Sequence, residues 1–208
     1  MDTKEILLKL RTEMGLSQDE LAGHKWVDLS EGNYGVALLN DCKYGYDVQG
    51  NVIGLSLIKS AVDPDETADR GIHYFTYSLY PHKGTFIDSD VQKQALNLNM
   101  PVLTQTLTRS QTTADFASYS LVEVDDDHIL IDTVKKSEDG QGLIVRLYEY
   151  KNKKEQKASI RLHVPVSRVY ECSLCEEDEI EIPVQEGKIC VDFGCYEIKT
   201  FKVYYEKD

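Results

Sequence analysis

The first 23 positions of the chain carry apolar residues at helical spacing, unlike the remainder of the sequence. These apolar residues recur every three or four positions, at Ile6, Leu7, Leu10 and Met14. Gly15 follows as a helix-ending residue, and Ser17-Gln18-Asp19-Glu20 has the form of a capping box that opens a second helix. The pattern predicts a short helical N-terminal segment over residues 1–23.

From Trp26 onward the apolar positions alternate with a period of two, which is typical of β-strands. Residues 36–39 and 52–58 are apolar runs of strand length, and the turn Gln49-Gly50-Asn51 predicts a hairpin. Residues 61–71 are too polar for a strand and predict a surface loop. A strand over 73–79 should end at Pro81, because proline cannot donate to a central ladder. Residues 91–96 predict one short helix before an extended connection over 103–113.

The last part of the chain is a series of short strand-like segments separated by turns such as Asp139-Gly140 and Glu186-Gly187. Seven strands are predicted, over residues 120–124, 129–135, 143–150, 157–164, 180–184, 188–192 and 196–205. This regular spacing indicates an antiparallel β-sandwich. The predicted organisation is therefore an all-β protein with a helical segment over 1–23, a β-sandwich portion over 24–117 and a terminal β-sandwich over 118–208.

The charge of the chain changes which partners we expect. Its formal net charge is −13 at pH 7, and such a surface repels phosphate backbones and anionic lipids. Nucleic acids and membranes are therefore not expected as partners. The acidic stretches 123–127 and 176–181 are interpreted as solvated faces rather than calcium sites. No apolar run approaches membrane-spanning length and no secretory leader is recognisable, so we expect a cytoplasmic protein.

Five cysteines leave two interpretations open. Four of them form the pairs Cys172/Cys175 and Cys190/Cys195, whose spacing is compatible with a zinc site. Both pairs also lie in strand-like sequence, where a cysteine serves as a small hydrophobic residue. Because acidic residues rather than a glycine turn follow Cys175, we favour the second interpretation.

Residues 10–22 resemble the opening of a repressor-type helix-turn-helix domain. The resemblance ends at Ala22, and no helix follows that would enter a DNA groove. DNA binding is therefore not expected. We interpret residues 1–22 as a segment joined to the chain from elsewhere.

Several separated blocks carry a second and much longer resemblance, covering about residues 25–203. The most specific block is Ala68-Asp69-x-Gly71-x-His73-x-Phe75-x-Tyr77, followed by Pro81-His82-x-Gly84. The closing blocks are residues 144–149 and 197–203. Together they resemble the C-terminal β-domains of the cytosolic and vacuolar branch of the α-mannosidases, glycoside hydrolase family 38. The resemblance implies a mutarotase-like sandwich portion followed by a smaller C-terminal sandwich.

The chemistry of that family lies outside what the resemblance covers. It implies retaining hydrolysis of α-mannosides by an aspartate nucleophile, an acid/base carboxylate and a zinc ion. None of these groups can be assigned to a position here, so we predict no catalytic residue, no metal ligand and no cofactor in this chain. Zinc would belong to the complete enzyme. The chain alone is expected to be inactive, with a structural role and the catalytic domain as its partner.

Other roles remain as alternatives. The chain could act as a stand-alone carbohydrate-binding module for mannose-containing sugars, with Trp26 and Tyr34 as a stacking platform. In the alternative interpretation, Trp26 is a core or interdomain anchor. Apolar surface that a catalytic domain would cover should also favour self-association.

Six residues are candidates for lining the edge of a sugar site. Carboxylate, guanidinium, ammonium and phenol groups commonly bind sugar hydroxyls, and the candidates are Asp69, Arg70, Asp41, Lys43, Tyr44 and His73. Their plainer interpretation is that of hydrogen-bonded turn residues. His73 and His82 bracket one predicted strand, and for both of them a structural role is the favoured interpretation.

Overall fold

A computed structural model describes residues 24–31, 33–106 and 118–205 of the chain. The helical prediction for residues 1–23 and the predicted connection over 107–113 lie outside this described part. The chain divides into two compact units, with the boundary between Gln105 and Thr106. Each unit has its own β-sheets.

The first unit is built on a three-stranded antiparallel sheet in the order β1-β2-β5. Its strands are β1 (Trp26–Glu31), β2 (Tyr34–Asn40) and β5 (Tyr77–Lys83), and a separate hairpin joins β3 (Gly45–Gln49) to β4 (Val52–Ser56). In the hairpin Gln49 pairs with Val52, which leaves Gly50 and Asn51 as the turn. Gly50 has a φ of 59°, a conformation that glycine adopts without strain. The predicted hairpin is confirmed.

The alternation of side chains along β2 builds two small cores on opposite faces of this sheet. On one face Ala37 and Leu39 pack against helix α1 (Val91–Asn99) through Val91 and Ala95. On the other face Leu38 packs with Val27 and with Val48 of the β3–β4 hairpin. The sheet is therefore covered by a helix on one side and by a hairpin on the other.

The strand predicted over residues 73–79 differs from the observed β5. The strand begins at Tyr77 and continues through Pro81 to Lys83, so the prediction that Pro81 ends it was wrong. Pro81 is tolerated within the strand because of the position of β5 in the sheet. β5 lies at the edge, with β2 as its neighbour, and an edge strand tolerates a residue that cannot donate a ladder hydrogen bond.

The second unit is a β-sandwich of two antiparallel sheets. The larger sheet has the order β11-β10-β13-β8-β7 and the smaller has the order β12-β9-β6. The strands are β6 (Val122–Val124), β7 (Ile129–Lys136), β8 (Leu143–Glu149), β9 (Glu155–Leu162), β10 (Val166–Cys172), β11 (Asp178–Ile182), β12 (Lys188–Phe193) and β13 (Ile198–Tyr205). The predicted terminal sandwich is confirmed, with eight strands where seven were predicted.

One core fills the space between these sheets. Leu147 and Phe201 of the larger sheet and Ile160 of the smaller sheet are each 0% exposed. Burying an aliphatic or aromatic side chain of this size stabilises a fold by roughly 1.5–3 kcal/mol. Within the described part of the chain, no helix is both long enough and apolar enough to cross a membrane.

Candidate functional site

An open cleft in the first unit brings together two connections that the sequence marked as polar. The β2–β3 turn forms one side, and the beginning of the long connection between β4 and β5 forms the other. The cleft has a volume of about 680 Å³. Its lining residues are Cys42, Lys43, Tyr44, Gly45, Ser56, Leu57, Ile58, Lys59 and Asp69.

Asn40 builds the turn on the first side of the cleft. This residue is 0% exposed at the end of β2, and its side-chain oxygen accepts hydrogen bonds from the backbone N–H groups of Cys42 and Lys43. The Asn99 side chain, at the end of α1, donates to the Asn40 carbonyl oxygen at 3.0 Å. The turn that presents Lys43 and Tyr44 is therefore held by the buried end of a strand and by a helix.

Asp41 ties the two connections together. Its carboxylate accepts hydrogen bonds from the Thr76 N–H through both oxygens, at 2.9 and 3.0 Å, and its own N–H donates to the Thr76 carbonyl at 3.2 Å. The Cys42 thiol and the Thr76 amide both donate to this carboxylate, which holds the pKa of Asp41 below its ordinary value. The same carboxylate raises the pKa of the Cys42 thiol. Asp41 is thus a positioning group with a charge stabilised by its neighbours.

Asp69 shapes the second side of the cleft. Its φ is 60°, and its side chain accepts a hydrogen bond from the Ser60 N–H at 2.8 Å. The His73 ring nitrogen Nε2 lies 2.7 Å from the Asp69 carbonyl oxygen. These two contacts close the loop on itself and hold Asp69 at the lining of the cleft.

Aromatic groups lie beside the charged ones. The rings of His24 and Tyr44 have centroids 4.7 Å apart, and the Lys43 ammonium lies 5.1 Å from the centre of the Phe75 ring. Tyr44 is nevertheless an exposed residue. The cleft therefore combines a cation, a carboxylate and an exposed aromatic face, a set of groups that suits a polyhydroxylated ligand.

The six candidate residues separate into two groups in the structure. Lys43, Tyr44 and Asp69 line the same cleft, although Asp69 is 25 positions further along the chain than Tyr44. Asp41, Arg70 and His73 are not among the lining residues. Asp41 and His73 fix the two connections through the hydrogen bonds described above, and Arg70 is exposed on the same loop as Asp69.

The suggested platform of Trp26 and Tyr34 does not form. Trp26 pairs with Leu39 at one end of the β1–β2 ladder, whereas Tyr34 pairs with Glu31 at the other end. Trp26 instead packs against the core beside α1 and lies 5.3 Å from the Phe86 ring, measured between ring centroids. The alternative interpretation of Trp26, as an anchor in a core, agrees with this placement.

His82 is a buried structural residue. Its Nε2 lies 2.7 Å from the Asp28 carboxylate, and both side chains are almost fully buried between β5 and β1. His82 thus joins β1 and β5, the two edge strands of the sheet, and does not reach the cleft.

Sequence reasoning missed Asn40, Cys42 and Lys59 as parts of this site. Asn40 carried a usable signal, because an asparagine followed by aspartate at the end of an apolar run is typical of a turn held by side-chain hydrogen bonds. Cys42 and Lys59 carried no signal in the sequence, because their place in the cleft depends on how the two connections meet.

The cleft does not fit the zinc chemistry that the resemblance implied for the complete enzyme. Its lining offers a single carboxylate, that of Asp69, and no imidazole. The four cysteines considered above form no disulfide bond, and they do not form a group of metal-ligand distance among the described residues. No catalytic step is therefore assigned to a metal in this chain.

Comparison with known proteins identifies the family of the chain. The profile described as "Glycosyl hydrolases family 38 C-terminal beta sandwich domain" matches residues 128–201, and "Glycosyl hydrolases family 38 C-terminal domain" matches residues 4–67. The chain belongs to glycosyl hydrolase family 38. The second match begins at residue 4 and so includes most of the segment with the helix-turn-helix resemblance.

The similar proteins of this family are much longer than the chain. Alpha-mannosidase G of Dictyostelium discoideum is 37% identical over 92% of the chain, and Alpha-mannosidase 2C1 of Homo sapiens is 35% identical over 86%. These matches cover 18% and 17% of the two relatives, so the chain spans less than one fifth of their length. It corresponds to a C-terminal fragment of an α-mannosidase.

A solved structure supports the fold. A family 38 protein from Enterococcus faecalis superposes with a TM-score of 0.67 at 18% identity, covering 88% of the chain and 22% of that protein. At this identity the likeness concerns the fold alone.

Proposed function

We propose that this chain acts as the C-terminal scaffold of an α-mannosidase and supplies one wall of its sugar-binding site. The observation that carries the proposal is the cleft of the first unit, where Lys43, Tyr44 and Asp69 converge from two separate connections. The relatives named α-mannosidases match 86% and 92% of the chain, including both of these connections.

The proposed wall binds sugar without performing the chemistry. The Lys43 ammonium donates hydrogen bonds to hydroxyl oxygens, the Asp69 carboxylate accepts from hydroxyl groups, and the Tyr44 ring packs against the apolar face of a pyranose. Asp41 and His73 hold these groups in position, and exposed Arg70 extends the same loop. Bond cleavage, with any zinc ion, belongs to the catalytic part of the enzyme.

The proposed partner of the chain is that catalytic part. Several large apolar side chains of the first unit are exposed, among them Tyr77 and Leu79 on β5 and Ile72 and Tyr74 on the connection that precedes it. Monomeric proteins rarely leave a large contiguous apolar surface uncovered. We place the catalytic part against this surface.

Fragment complementation tests the proposal. Alpha-mannosidase G of Dictyostelium discoideum would be truncated where its match to this chain begins, and the truncated protein would be mixed with the full chain. We expect hydrolysis of an aryl α-mannoside by the mixture and by neither component alone. Hydrolysis by this chain alone, or no binding between the two components, would overturn the proposal.

Variants in the complemented mixture test the cleft itself. Asp69→Asn and Lys43→Ala should each raise KM for the aryl mannoside while leaving association of the two components unchanged. Lys83→Ala is the control, because Lys83 is exposed on β5 and does not line the cleft. If KM is unchanged in both cleft variants, the wall role is wrong even where the scaffold role holds.

A stand-alone carbohydrate-binding module is the second candidate function, favoured by the paired rings of His24 and Tyr44 beside the cleft. Calorimetric titration of the full chain with mannose and mannobiose discriminates between the two. Micromolar binding that Tyr44→Ala abolishes supports the module, and absence of binding up to millimolar sugar supports the scaffold.

We also propose the cytoplasm as the location of the protein. No disulfide bond joins any of the five cysteines, which is the usual state of thiols in a reducing compartment. Fractionation of cells producing the tagged chain would test this, with recovery from the secretory pathway as the contrary result.

A further inference from the structure

Asn40 lies where several parts of the first unit meet. The residue is fully buried, its N–H donates to the Lys25 carbonyl oxygen at 3.0 Å, and its carbonyl oxygen accepts from the Asn99 side chain at 3.0 Å. Asn99 ends helix α1, and its side-chain amide also donates to the Ala95 carbonyl oxygen at 2.8 Å. The backbone of Asn40 is therefore fixed both to the chain before β1 and to the last turn of the helix.

The orientation of the Asn40 side-chain amide is fixed by its partners. Its oxygen accepts from the backbone N–H groups of Cys42 and Lys43, and an amide nitrogen could accept from neither of them. The amide nitrogen therefore faces Tyr46 on β3 and donates to its hydroxyl oxygen. Burial raises the pKa of the Tyr46 hydroxyl to about 12, so the hydroxyl stays neutral at pH 7.

The two N–H groups that this amide holds belong to residues that line the cleft, and Tyr44 follows them directly in the same lining. A turn whose successive N–H groups share one side-chain acceptor has little conformational freedom. The Lys43 ammonium and the Tyr44 ring are therefore carried on a fixed backbone. A sugar meets groups that are already in place, and binding does not have to order them.

We propose that Asn40 is a positioning residue for sugar binding, whose amide sets the affinity of the cleft by pre-organising Lys43 and Tyr44. The inference rests on the proposed wall function and deepens it. Asn40 does not line the cleft and has no exposed surface with which to touch a sugar. Its effect on binding is therefore carried entirely by the turn.

Pre-organisation of a wall predicts a particular kinetic signature. The proposed wall binds sugar without performing the chemistry, so it stabilises the bound ground state and the transition state equally. Loss of such uniform binding raises KM and leaves kcat unchanged. In the complemented mixture with the truncated α-mannosidase, Asn40→Ala should raise KM for the aryl mannoside about tenfold, because the turn loses two hydrogen bonds.

The conservative variant Asn40→Asp separates positioning from general stability. A carboxylate oxygen accepts from the same two N–H groups, and the Tyr46 hydroxyl then donates to the other oxygen. We therefore expect Asn40→Asp to restore most of the affinity that Asn40→Ala loses.

Tyr80→Phe is the control for stability. It removes the hydrogen bond that the Tyr80 hydroxyl on β5 donates to Asp90 at the start of α1, and neither residue lines the cleft. This variant should lower Tm and leave KM unchanged. A rise of KM in Tyr80→Phe equal to that in Asn40→Ala would show that lost stability is the cause, and the positioning role would be wrong.

Lys43→Ala in the same assay separates failure of this inference from failure of the proposed function. If Lys43→Ala raises KM and Asn40→Ala does not, the wall stands and Asn40 does not position it. If neither variant raises KM, the wall function fails and the inference fails with it. Equal rises of KM in Asn40→Ala and Asn40→Asp would also overturn the inference, because the acceptor oxygen would then be irrelevant.

Amide hydrogen exchange of the unaltered chain tests the geometry without requiring a variant to fold. We expect the N–H groups of Cys42 and Lys43 to exchange slowly, because both donate to the oxygen of a buried side chain. The exposed turn residue Asn51 serves as the fast reference. Exchange at Cys42 and Lys43 as fast as at Asn51 would mean that Asn40 does not hold the turn, and the inference would fail.

Discussion

At the scale of single residues, the buried lysine of β13 shows how a charge is retained in the sandwich. The side chain of Lys202 is 8% exposed, and its ammonium lies 2.8 Å from Asp139 Oδ2. The Lys202 ammonium, the Gln141 N–H and the Ser137 hydroxyl all donate to Asp139 and hold its pKa well below the ordinary value. The carboxylate is therefore more stable ionised in the folded protein than in the unfolded chain.

This difference predicts a pH-dependent effect of Asp139→Asn. A carboxyl with a lowered folded pKa stabilises the fold fully above its unfolded pKa, and this stabilisation is lost as the pH falls through the folded pKa. We expect the variant to have a lower Tm than the unaltered chain at pH 7, and the gap to narrow steadily below about pH 4. Thermal unfolding from pH 7 to pH 2.5 measures the gap.

The control for Asp139→Asn is Asp132→Asn. Asp132 is exposed on β7, and its carboxylate accepts a hydrogen bond from the neighbouring Thr133 hydroxyl. Its replacement should leave Tm unchanged at both ends of the pH range. A Tm gap for Asp139→Asn that stays constant with pH would contradict the assigned cause.

The sequence indicated some residues of the cleft and missed others for a physical reason. Lys43, Tyr44 and Asp69 were candidates because they are polar or amphipathic groups in predicted connections, and local sequence reveals that much. Their convergence depends on the contact between Asp41 and Thr76, which are 35 positions apart. A single sequence does not reveal such a long-range contact. It therefore does not distinguish Arg70 and His73 from the residues that line the cleft.

At the scale of secondary-structure elements, Gly35 is required where β2 passes His82. A Cβ atom at this position would lie 2.7 Å from His82 Nε2 and 2.6 Å from the Ser30 hydroxyl. We predict that Gly35→Ala separates His82 from Asp28 and destabilises the first unit by about 1–3 kcal/mol, the usual cost of overpacking. Urea unfolding followed by Trp26 fluorescence measures this.

Gly54→Ala is the matched glycine control, because a Cβ at position 54 would meet Asp47 at an ordinary 3.5 Å. This variant should unfold at nearly the same urea concentration as the unaltered chain. Equal destabilisation by the two substitutions would mean that close approach to His82 is not the cause.

An inner strand of the larger sheet carries a second prediction at this scale. Leu147 lies in β8, between β7 and β13, and is fully buried in the core of the sandwich. Leu147→Ala should lower the free energy of unfolding by about 2–5 kcal/mol, because it leaves a cavity. Leu174→Ala changes an exposed leucine after β10 and should stay within about 0.5 kcal/mol. Chemical denaturation of both variants distinguishes these effects, and similar losses would contradict the assigned core.

In the second unit, the strand that the sequence did not reveal is β10. Val166–Cys172 contains Ser167, Arg168 and Glu171 among its apolar residues, so it lacks an uninterrupted apolar run. In the fold, Val169 is fully buried in the core while Ser167 and Arg168 face outward, and ladders to β11 and β13 provide the backbone hydrogen bonds. Strands that are apolar on both faces are visible in a sequence, but a half-polar strand between two neighbours is recognised only when its partners are known.

At the scale of the whole molecule, the all-β class of the fold follows from the sequence more readily than the site does. Alternating apolar positions with turns indicated β-structure throughout, and the family resemblance implied two sandwich-type regions. Both features rest on many residues, so errors at Pro81 or β10 do not change the class of fold. A site of three converging side chains has no such redundancy, which is why its residues were only partly identified.

Charge and apolar surface act against each other in this chain, and their balance predicts its association state. The net charge of −13 keeps copies apart, whereas exposed apolar groups such as Tyr77 and Leu79 on edge strand β5 favour contact. Salt shortens the screening length from about 10 Å at 0.1 M to about 3 Å at 1 M. We therefore expect self-association to increase with NaCl, measured by sedimentation velocity at 0.1 and 1 M.

The position of this association can be tested with two substitutions of the same kind. Leu79→Ser should suppress the salt-induced association, because Leu79 is 66% exposed on edge strand β5, which has one neighbour in its sheet. Ile180→Ser removes an apolar side chain of similar exposure, 60%, from β11 of the second unit and should leave the association unchanged. A monomer at both salt concentrations would show that the exposed apolar surface of β5 is too small to bring copies together, and equal effects of the two substitutions would place the contact elsewhere.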